Sequence, residues 1–297
     1  YQKFAHNALS SLGFFSNYQY ASESNGYFDL ATEENILLHT WSLSVEWLFY
    51  LLYPIILLPF LNRKNYVKWV LWLMLLFSLL YASYLLHTNE KGAFYYLSSR
   101  IWEMVLGGLV AVYPIKMARA QPLYCAIFGW VCLLISVMLY GGATPWPAYY
   151  ALLPTVGTAC IIAANLNSKY LQNNYIQLIG KYSYSIYLWH WPVVFYGMYF
   201  ASVTDVAYFK ILAIGLSVVL GVLSYYGVEQ PSAKWIKNNT HQKVFISLLL
   251  AMLVLGGVLF LIQKMNGMPE RIPARVRDNF SYSNNIDPRR KQCHFAI

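Results

Sequence analysis

LLHTWSLSVEWLFYLLYP (Leu37–Pro54) is the stretch that decides the fold of this chain. It opens a long apolar helix, yet His39, Ser42 and Glu46 lie inside its first three turns. Spacings of three and four residues put these side chains on one helical face, and Tyr50 and Tyr53 continue it. An imidazole and a carboxylate at membrane depth are costly and mark a functional site turned toward a bundle interior. The same stripe also fits a plainer role, polar glue between neighbouring helices. The residues alone leave both readings open.

Working outward, the chain of 297 residues is 58% hydrophobic and only 11% charged, with a mean hydropathy of +0.42. A soluble domain carries about twice that charged fraction. Repeated apolar runs long enough to cross hydrocarbon predict an all-α, polytopic transmembrane bundle. The runs are continuous rather than alternating, which excludes a membrane β-barrel. The net charge of +9 does not point to nucleic acid, because the basic residues fall in short turns between apolar spans. Cys125, Cys132 and Cys160 lie within apolar spans as packing residues. Cys293 stands alone, and no Cys/His cluster suggests a metal.

The pattern predicts a partial helix over Phe4–Phe15 and then a polar, acidic loop over Asn17–Asn35. Eight full spans follow, over Ile36–Leu61, Tyr66–His87, Ser98–Tyr113, Pro122–Tyr140, Tyr149–Asn165, Ile176–Phe200, Tyr208–Val228 and Val244–Gln263. Pro54 predicts a kink in the first of these. Residues 1–240 form the main membrane domain, 241–264 an additional span, and 265–297 a polar tail leading toward a further domain. The first residue is not methionine and lies within an apolar stretch. The chain therefore reads as part of a longer protein with two helices upstream.

Basic turns alternate with neutral or acidic ones. Those at Arg63–Lys68, Lys116–Arg119, Lys169 and Lys234–Lys243 belong in the cytoplasm. The acidic loop and the tail then lie outside. The tail is itself net basic, with seven Lys/Arg against three Asp/Glu after Gln263, but most of those charges sit beyond the range in which the rule counts. No repeat at solenoid spacing is present. The stretch SAKWIKNN after Glu229-Gln230-Pro231 fits a segment lying along the membrane surface.

Two further constellations stand out. In IGKYSYSIYLWHWPVVFY (Ile179–Tyr196), Ser183, Tyr187 and His190 share a face, and Pro192 follows closely. A base and a hydrogen-bonded structural histidine both fit His190. Arg100 and Glu103 are one turn apart, so they can neutralise each other. Arg100 can alternatively hold an anionic group of a ligand. Gly107-Gly108 suits a close helix contact. Walker, Rossmann, H-E-x-x-H and G-x-S-x-G patterns are absent.

These residues together resemble the acyltransferase 3 family, bacterial integral-membrane O-acyltransferases that decorate surface sugars. Its signature helix reads W-S-L-(S/A)-V-E-E/W-Q-F-Y-x-x-x-P. Trp41, Ser42, Leu43, Val45, Glu46, Phe49, Tyr50 and Pro54 match it, and Leu48 replaces the usual glutamine. Arg100-Ile-Trp-Glu103 with Gly107-Gly108 is similar to the family's R-x-W/F-E-x-x-x-G. GKYSYSIYLWHWP resembles its late G-x-x-S-Y-x-x-Y-L-x-H-x-P helix, and VEQP (Val228–Pro231) its closing E-x-P. The extra span and NGMPERIP resemble the subgroup fused to an extracytoplasmic SGNH-type domain.

The resemblance implies transfer of an acyl group, most plausibly acetyl from acetyl-CoA, to a hydroxyl of a surface glycan such as lipopolysaccharide O-antigen. It also implies the bacterial cytoplasmic membrane and no bound cofactor. The family's histidine base lies in its first helix, upstream of Tyr1. In this chain the implied catalytic residues are Glu46, Ser42 and His190. Trp41, Tyr50, Arg100, Glu103, Ser185 and His39 are the implied substrate-binding residues. A transporter or flippase is the rival, since Pro54 and Pro192 break helices as such proteins do. No pair of interrupted helices recurs in two halves. A non-catalytic partner or sensor on the same fold is a second rival.

Overall fold

The computed structural model describes residues 1–23, 35–115, 117–118, 121–141, 144–166, 173–200 and 206–271. Most of the acidic loop, Lys116, Arg119, Lys169, Asp205 and the tail beyond Arg271 lie outside the described residues. Every regular element among the described residues is helical. In chain order these are α1 (Gln2–Leu12), α2 (Ser16–Glu23), α3 (Thr40–Leu57), α4 (Lys64–Thr88), α5 (Glu90–Tyr95), α6 (Leu97–Val112), α7 (Gln121–Leu139), α8 (Leu152–Ala164), α9 (Asn174–Phe200), α10 (Val206–Ser224), α11 (Gln230–Asn238) and α12 (His241–Lys264).

Five stretches are long and apolar enough to cross a membrane: Thr40–Phe60, Asn65–Thr88, Gln121–Leu139, Tyr208–Asn238 and His241–Lys264. The molecule is an all-α, multi-pass membrane protein. Its surface agrees: Val137, Met138, Ile211, Ile214 and Val254 are each more than 60% exposed, which lipid accommodates and water does not. The window of α12 that would cross the membrane has no buried residue. The remaining three expected spans are present as helices. α6 and α8 are short, and α9 carries polar side chains at intervals along its length.

Local signals set several helix ends. The Asn89 side chain caps α5 by accepting from the Gly92 amide at 3.0 Å. The Thr240 side chain caps α12 by accepting from Lys243. α8 stops where Asn165 turns left-handed at φ 43°. Past Pro54, α3 tightens into a 3₁₀ turn, Leu58–Phe60. Pro231 cannot donate to the Gly227 carbonyl, and the backbone widens into a π turn over Tyr225–Glu229 just before it.

Two short helices occupy segments expected as loops. α2 lies within Ser16–Glu23, and α5 follows α4 directly. Neither has a strong periodic signal, and tertiary burial makes both: Ser16, Asn17 and Tyr20 of α2 and Gly92, Ala93 and Tyr95 of α5 are buried. The helix expected over Phe4–Phe15 forms as α1, and it is the first arm of a hairpin. The chain reverses at Gly13–Phe15, with Phe14 left-handed at φ 56° and its ring stacked on Trp47 at 4.7 Å. α1 runs antiparallel to α12: a methyl on Gly267 would meet Gln2, Gln263 meets His6, and a methyl on Gly256 would meet Leu12.

The core cluster joins α3, α4, α5 and α6 through Trp41, Val45, Phe49, Leu71, Tyr95, Val105 and Leu109. α7 crosses α8 at Gly129 and Gly157, where a Cβ on Gly129 would sit 2.5 Å from the Gly157 carbonyl oxygen. At Gly108 a Cβ would stand 3.3 Å from the Tyr53 hydroxyl, so this member of the glycine pair faces α3, whereas Gly107 faces open space. Gly129→Ala is therefore expected to cost about 1–3 kcal/mol through overpacking. This should appear as a lower unfolding midpoint in detergent. Gly107→Ala, with nothing within 4 Å of its Cβ, should leave the midpoint unchanged or raise it.

Candidate active site

The first turn of α3 and the middle of α9 meet, which joins two constellations that lie about 150 residues apart in sequence. The Ser42 and Tyr187 hydroxyls are 2.5 Å apart. Both also lie within hydrogen-bond distance of the His39 carbonyl, Tyr187 at 3.0 Å and Ser42 at 3.1 Å, so one hydroxyl donates to that carbonyl and the other to its hydroxyl neighbour. The Trp191 indole donates to the Asn35 carbonyl at 2.7 Å. The His39 ring stacks on Trp191 at 4.5 Å and meets His190 edge-on at 4.6 Å. Two imidazoles and two hydroxyls thus share one half-buried site between α3 and α9.

The tautomer of His190 follows from its partner. Nδ1 contacts the Tyr187 carbonyl one turn back. A carbonyl oxygen only accepts, so Nδ1 carries the proton and the neutral ring keeps its lone pair on Nε2. Ser183, expected on the same face, is exposed and donates to the Gly180 carbonyl of its own helix.

Below this site a polar track follows α9. Glu46, one turn after Ser42, is exposed and acts electrostatically on both Tyr184 and Tyr187. Glu229, in the π turn, also acts on Tyr184 and accepts from the buried Ser185 hydroxyl at 2.7 Å. Lower still, Lys181 lies over the rings of Tyr182, Tyr225 and Tyr226 at 5.7, 5.0 and 5.8 Å. Tyr50 is 62% exposed and touches Phe49 edge-on.

Trp41 and Arg100 meet on a different face of α3. The Arg100 guanidinium lies 5.3 Å from both the Trp41 and Phe94 rings. One of its terminal nitrogens donates to both Glu103 oxygens, at 3.0 and 3.2 Å, and its Nε donates to the Phe94 carbonyl at 3.3 Å. This box ties α3 to α5 and α6 and neutralises both charges internally.

One polar centre was not singled out from the sequence. Ser16 and Ser44 hydroxyls are 2.8 Å apart, Ser11 and Thr40 hydroxyls 2.7 Å, and Gln19 donates to Asn7. His6 pairs with Glu23 at 3.1 Å, and Gln263 of α12 meets the other ring nitrogen at 3.2 Å. The legible signal was small polar residues four apart on apolar helices, Asn7 with Ser11 and Thr40 with Ser44. Among the described residues no group of three His, Cys, Asp or Glu side chains has the arrangement to hold a metal.

Comparison with known proteins gives the family. Residues 8–228 match the family described as an acyltransferase domain. The chain belongs to that acyltransferase family. It is 27% identical over 251 residues to O-acetyltransferase OatA of Staphylococcus aureus, covering 77% of this chain and 41% of OatA. It is 30% identical over 234 residues to the putative membrane-bound transacylase BcsY of Komagataeibacter xylinus, covering 75% of this chain and 58% of BcsY. A putative O-acetyltransferase of Staphylococcus aureus, SACOL0978, is 25% identical over 252 residues. The chain thus spans roughly two fifths to three fifths of these relatives. No solved structure matches it.

Because Ser42, Tyr187 and the His39 carbonyl form one closed set, their contributions should not add. Ser42→Ala and Tyr187→Phe are each expected to cost about 0.5–1.5 kcal/mol of stability. The double variant should cost clearly less than the sum. A double-mutant cycle on the unfolding midpoint measures this, and strict additivity would show the two hydroxyls to be uncoupled.

Proposed function

We propose that this chain is the membrane domain of an O-acyltransferase that moves an acyl group, most plausibly acetyl from acetyl-CoA, onto a hydroxyl of an extracytoplasmic glycan such as lipopolysaccharide O-antigen. The observation that carries this reading is the His190 Nε2 lone pair, fixed by the ring's own backbone partner, beside two hydroxyls in an acyltransferase-family fold. The glycan hydroxyl attacks the thioester carbonyl, and His190 Nε2 takes its proton. The C–S bond then breaks, and the proton passes to the departing thiolate. Ser42 and Tyr187 lie beside His190, and the hydroxyl released from the His39 carbonyl as substrate enters supplies a donor for the oxyanion formed in between. His39, held against Trp191, positions the His190 ring. A base contributed from elsewhere in the longer protein fits the same site, and the two imidazoles then act on substrate binding.

Glu46 is the ionisable group we place in charge balance with the imidazoles, through its field on Tyr187. Tyr50 and Ser185 line the track that the donor follows, with Glu229 holding Ser185 in place. Trp41, Arg100 and Glu103 lie on another face of α3, where any contact of Arg100 with a donor anion competes with Glu103. Our reading puts the protein in the bacterial cytoplasmic membrane, and the alternation of basic turns in the sequence supports an orientation with His39 toward the outer surface, Lys181 toward the cytoplasm and the tail outside. Acyl-CoA then enters from the Lys181 end and the glycan from the His39 end. No bound cofactor is required.

The transporter reading finds less support. It needs two structurally matched interrupted helices, and the polar track lies along one helix, α9. In the intact protein, His190→Ala is expected to lower glycan acylation by about 10²–10⁴-fold while the protein stays in the membrane fraction. Glu46→Gln should abolish acylated product with insertion unchanged. Wild-type product levels in the Glu46→Gln strain, read by mass spectrometry of the surface glycan, would remove Glu46 from the mechanism. Wild-type levels in both strains would sink the site.

A further inference from the structure

Three cysteines lie on the two facing helices α7 and α8. Cys132 is buried at their crossing, where a Cβ on Gly157 would stand 2.8 Å from its own Cβ. Packing accounts for it. Cys125 and Cys160 differ, because both are only half-buried and they face one another. The Cys125 thiol donates to the Cys160 carbonyl at 3.3 Å, and the two thiols lie within hydrogen-bond reach of each other.

Two glycines bring the pair together. A Cβ on Gly129 would strike the Gly157 carbonyl oxygen at 2.5 Å, and one on Gly157 would meet the Gly129 carbonyl oxygen at 2.9 Å. Cys125 lies four residues before Gly129, and Cys160 three residues after Gly157. The helices run antiparallel, so both thiols sit one turn from the closest approach and on the same side of it. A disulfide needs the two Cα atoms within about 7 Å, and this crossing holds the backbones close. Cys132 does not compete for Cys125. Seven residues separate them, about 10 Å along the helix axis, which is beyond disulfide reach.

We propose that Cys125 and Cys160 are a redox modification site, closing to a reversible disulfide by exchange with a small-molecule disulfide such as oxidised glutathione. One thiolate attacks a sulfur of the small disulfide, whose S–S bond breaks and whose other half leaves as a thiol. The second cysteine attacks the mixed disulfide, forms the Cys125–Cys160 bond and releases the second small thiol. The chain gives up two electrons and two protons, and the small disulfide gains both. The placement suits exchange. Each cysteine is four residues from the end of its helix, about 6 Å, and so near the membrane boundary. The hairpin is joined at its far end through Ala148–Ala151, which pack on Trp102 of α6. The disulfide clasps its open end. This inference is independent of the acyl-transfer reading.

The test equilibrates the intact protein in lipid nanodiscs with buffers of oxidised and reduced glutathione, then quenches, alkylates and maps peptides by mass spectrometry. An intrachain Cys125–Cys160 linkage should form with oxidised glutathione in excess and vanish with reduced glutathione in excess. Cys132 should be alkylated throughout. Closing a loop of about 35 residues should raise the unfolding midpoint by about 5 °C or more. Cys125→Ser and, separately, Cys160→Ser should abolish both the linkage and the shift, and Cys132→Ser should keep both. Free thiols at Cys125 and Cys160 in fully oxidising buffer overturn the proposal. So does a mixed disulfide that goes no further, a linkage through Cys132 or between two chains, or a Cys125–Cys160 linkage that leaves the midpoint unchanged.

Discussion

Desolvation at the start of α3 is the constraint on which the rest of the structure depends. Polar side chains crowd its first two turns at membrane depth, and each needs a partner that lipid cannot offer. The helix solves this by facing three partners at once. His39 and Ser42 turn to α9, where Tyr187, His190 and Trp191 meet them. Thr40 and Ser44 turn to the α1–α2 hairpin and its Ser11 and Ser16. Trp41 turns to α5 and α6, under the Arg100 guanidinium. Helices of the bundle are thus positioned by hydrogen bonds around one segment, with apolar packing filling the space behind it.

This arrangement explains why short, weakly periodic segments are helical. α2 and α5 have little intrinsic reason to form. They form because Asn17 donates to the buried Tyr95 carbonyl at 3.1 Å and because the single Ser99 hydroxyl proton has the Gly92, Ala93 and Tyr96 carbonyls within reach, at 3.3, 2.8 and 2.7 Å. Leaving one such group unpaired would cost about 1–3 kcal/mol, which offsets part of the entropy lost in ordering a helical turn.

The long helices were legible in the sequence because hydrocarbon thickness fixes their length and composition. Expected and observed boundaries of α6, α7 and α12 agree within three residues. The site was legible in halves. Three- and four-residue spacings place Ser42 with His39, and Tyr187 with His190, on single helix faces. Nothing in a spacing says that the two faces meet, because that is set by helices between them. The reverse held for Trp41. Adjacent to Ser42 in sequence, it turns about 100° away on the helix and packs with Arg100 instead. The His6–Glu23 pair was illegible because the hairpin that brings the two together turns at Gly13–Phe15 through a left-handed phenylalanine, a conformation that sequence does not announce.

The two charged centres of α3 and its partners follow opposite logic. Arg100 and Glu103 satisfy one another, one guanidinium nitrogen donating to both carboxylate oxygens with aromatic faces above, so little of their field reaches outward. Glu46 makes no ion pair among the described residues and lies near the tyrosines Tyr184 and Tyr187 of α9. The geometry thus sets a charge pair that organises the fold on one face of α3 and an exposed Glu46 on another. The family signature contains both, although sequence alone gives them the same apparent weight.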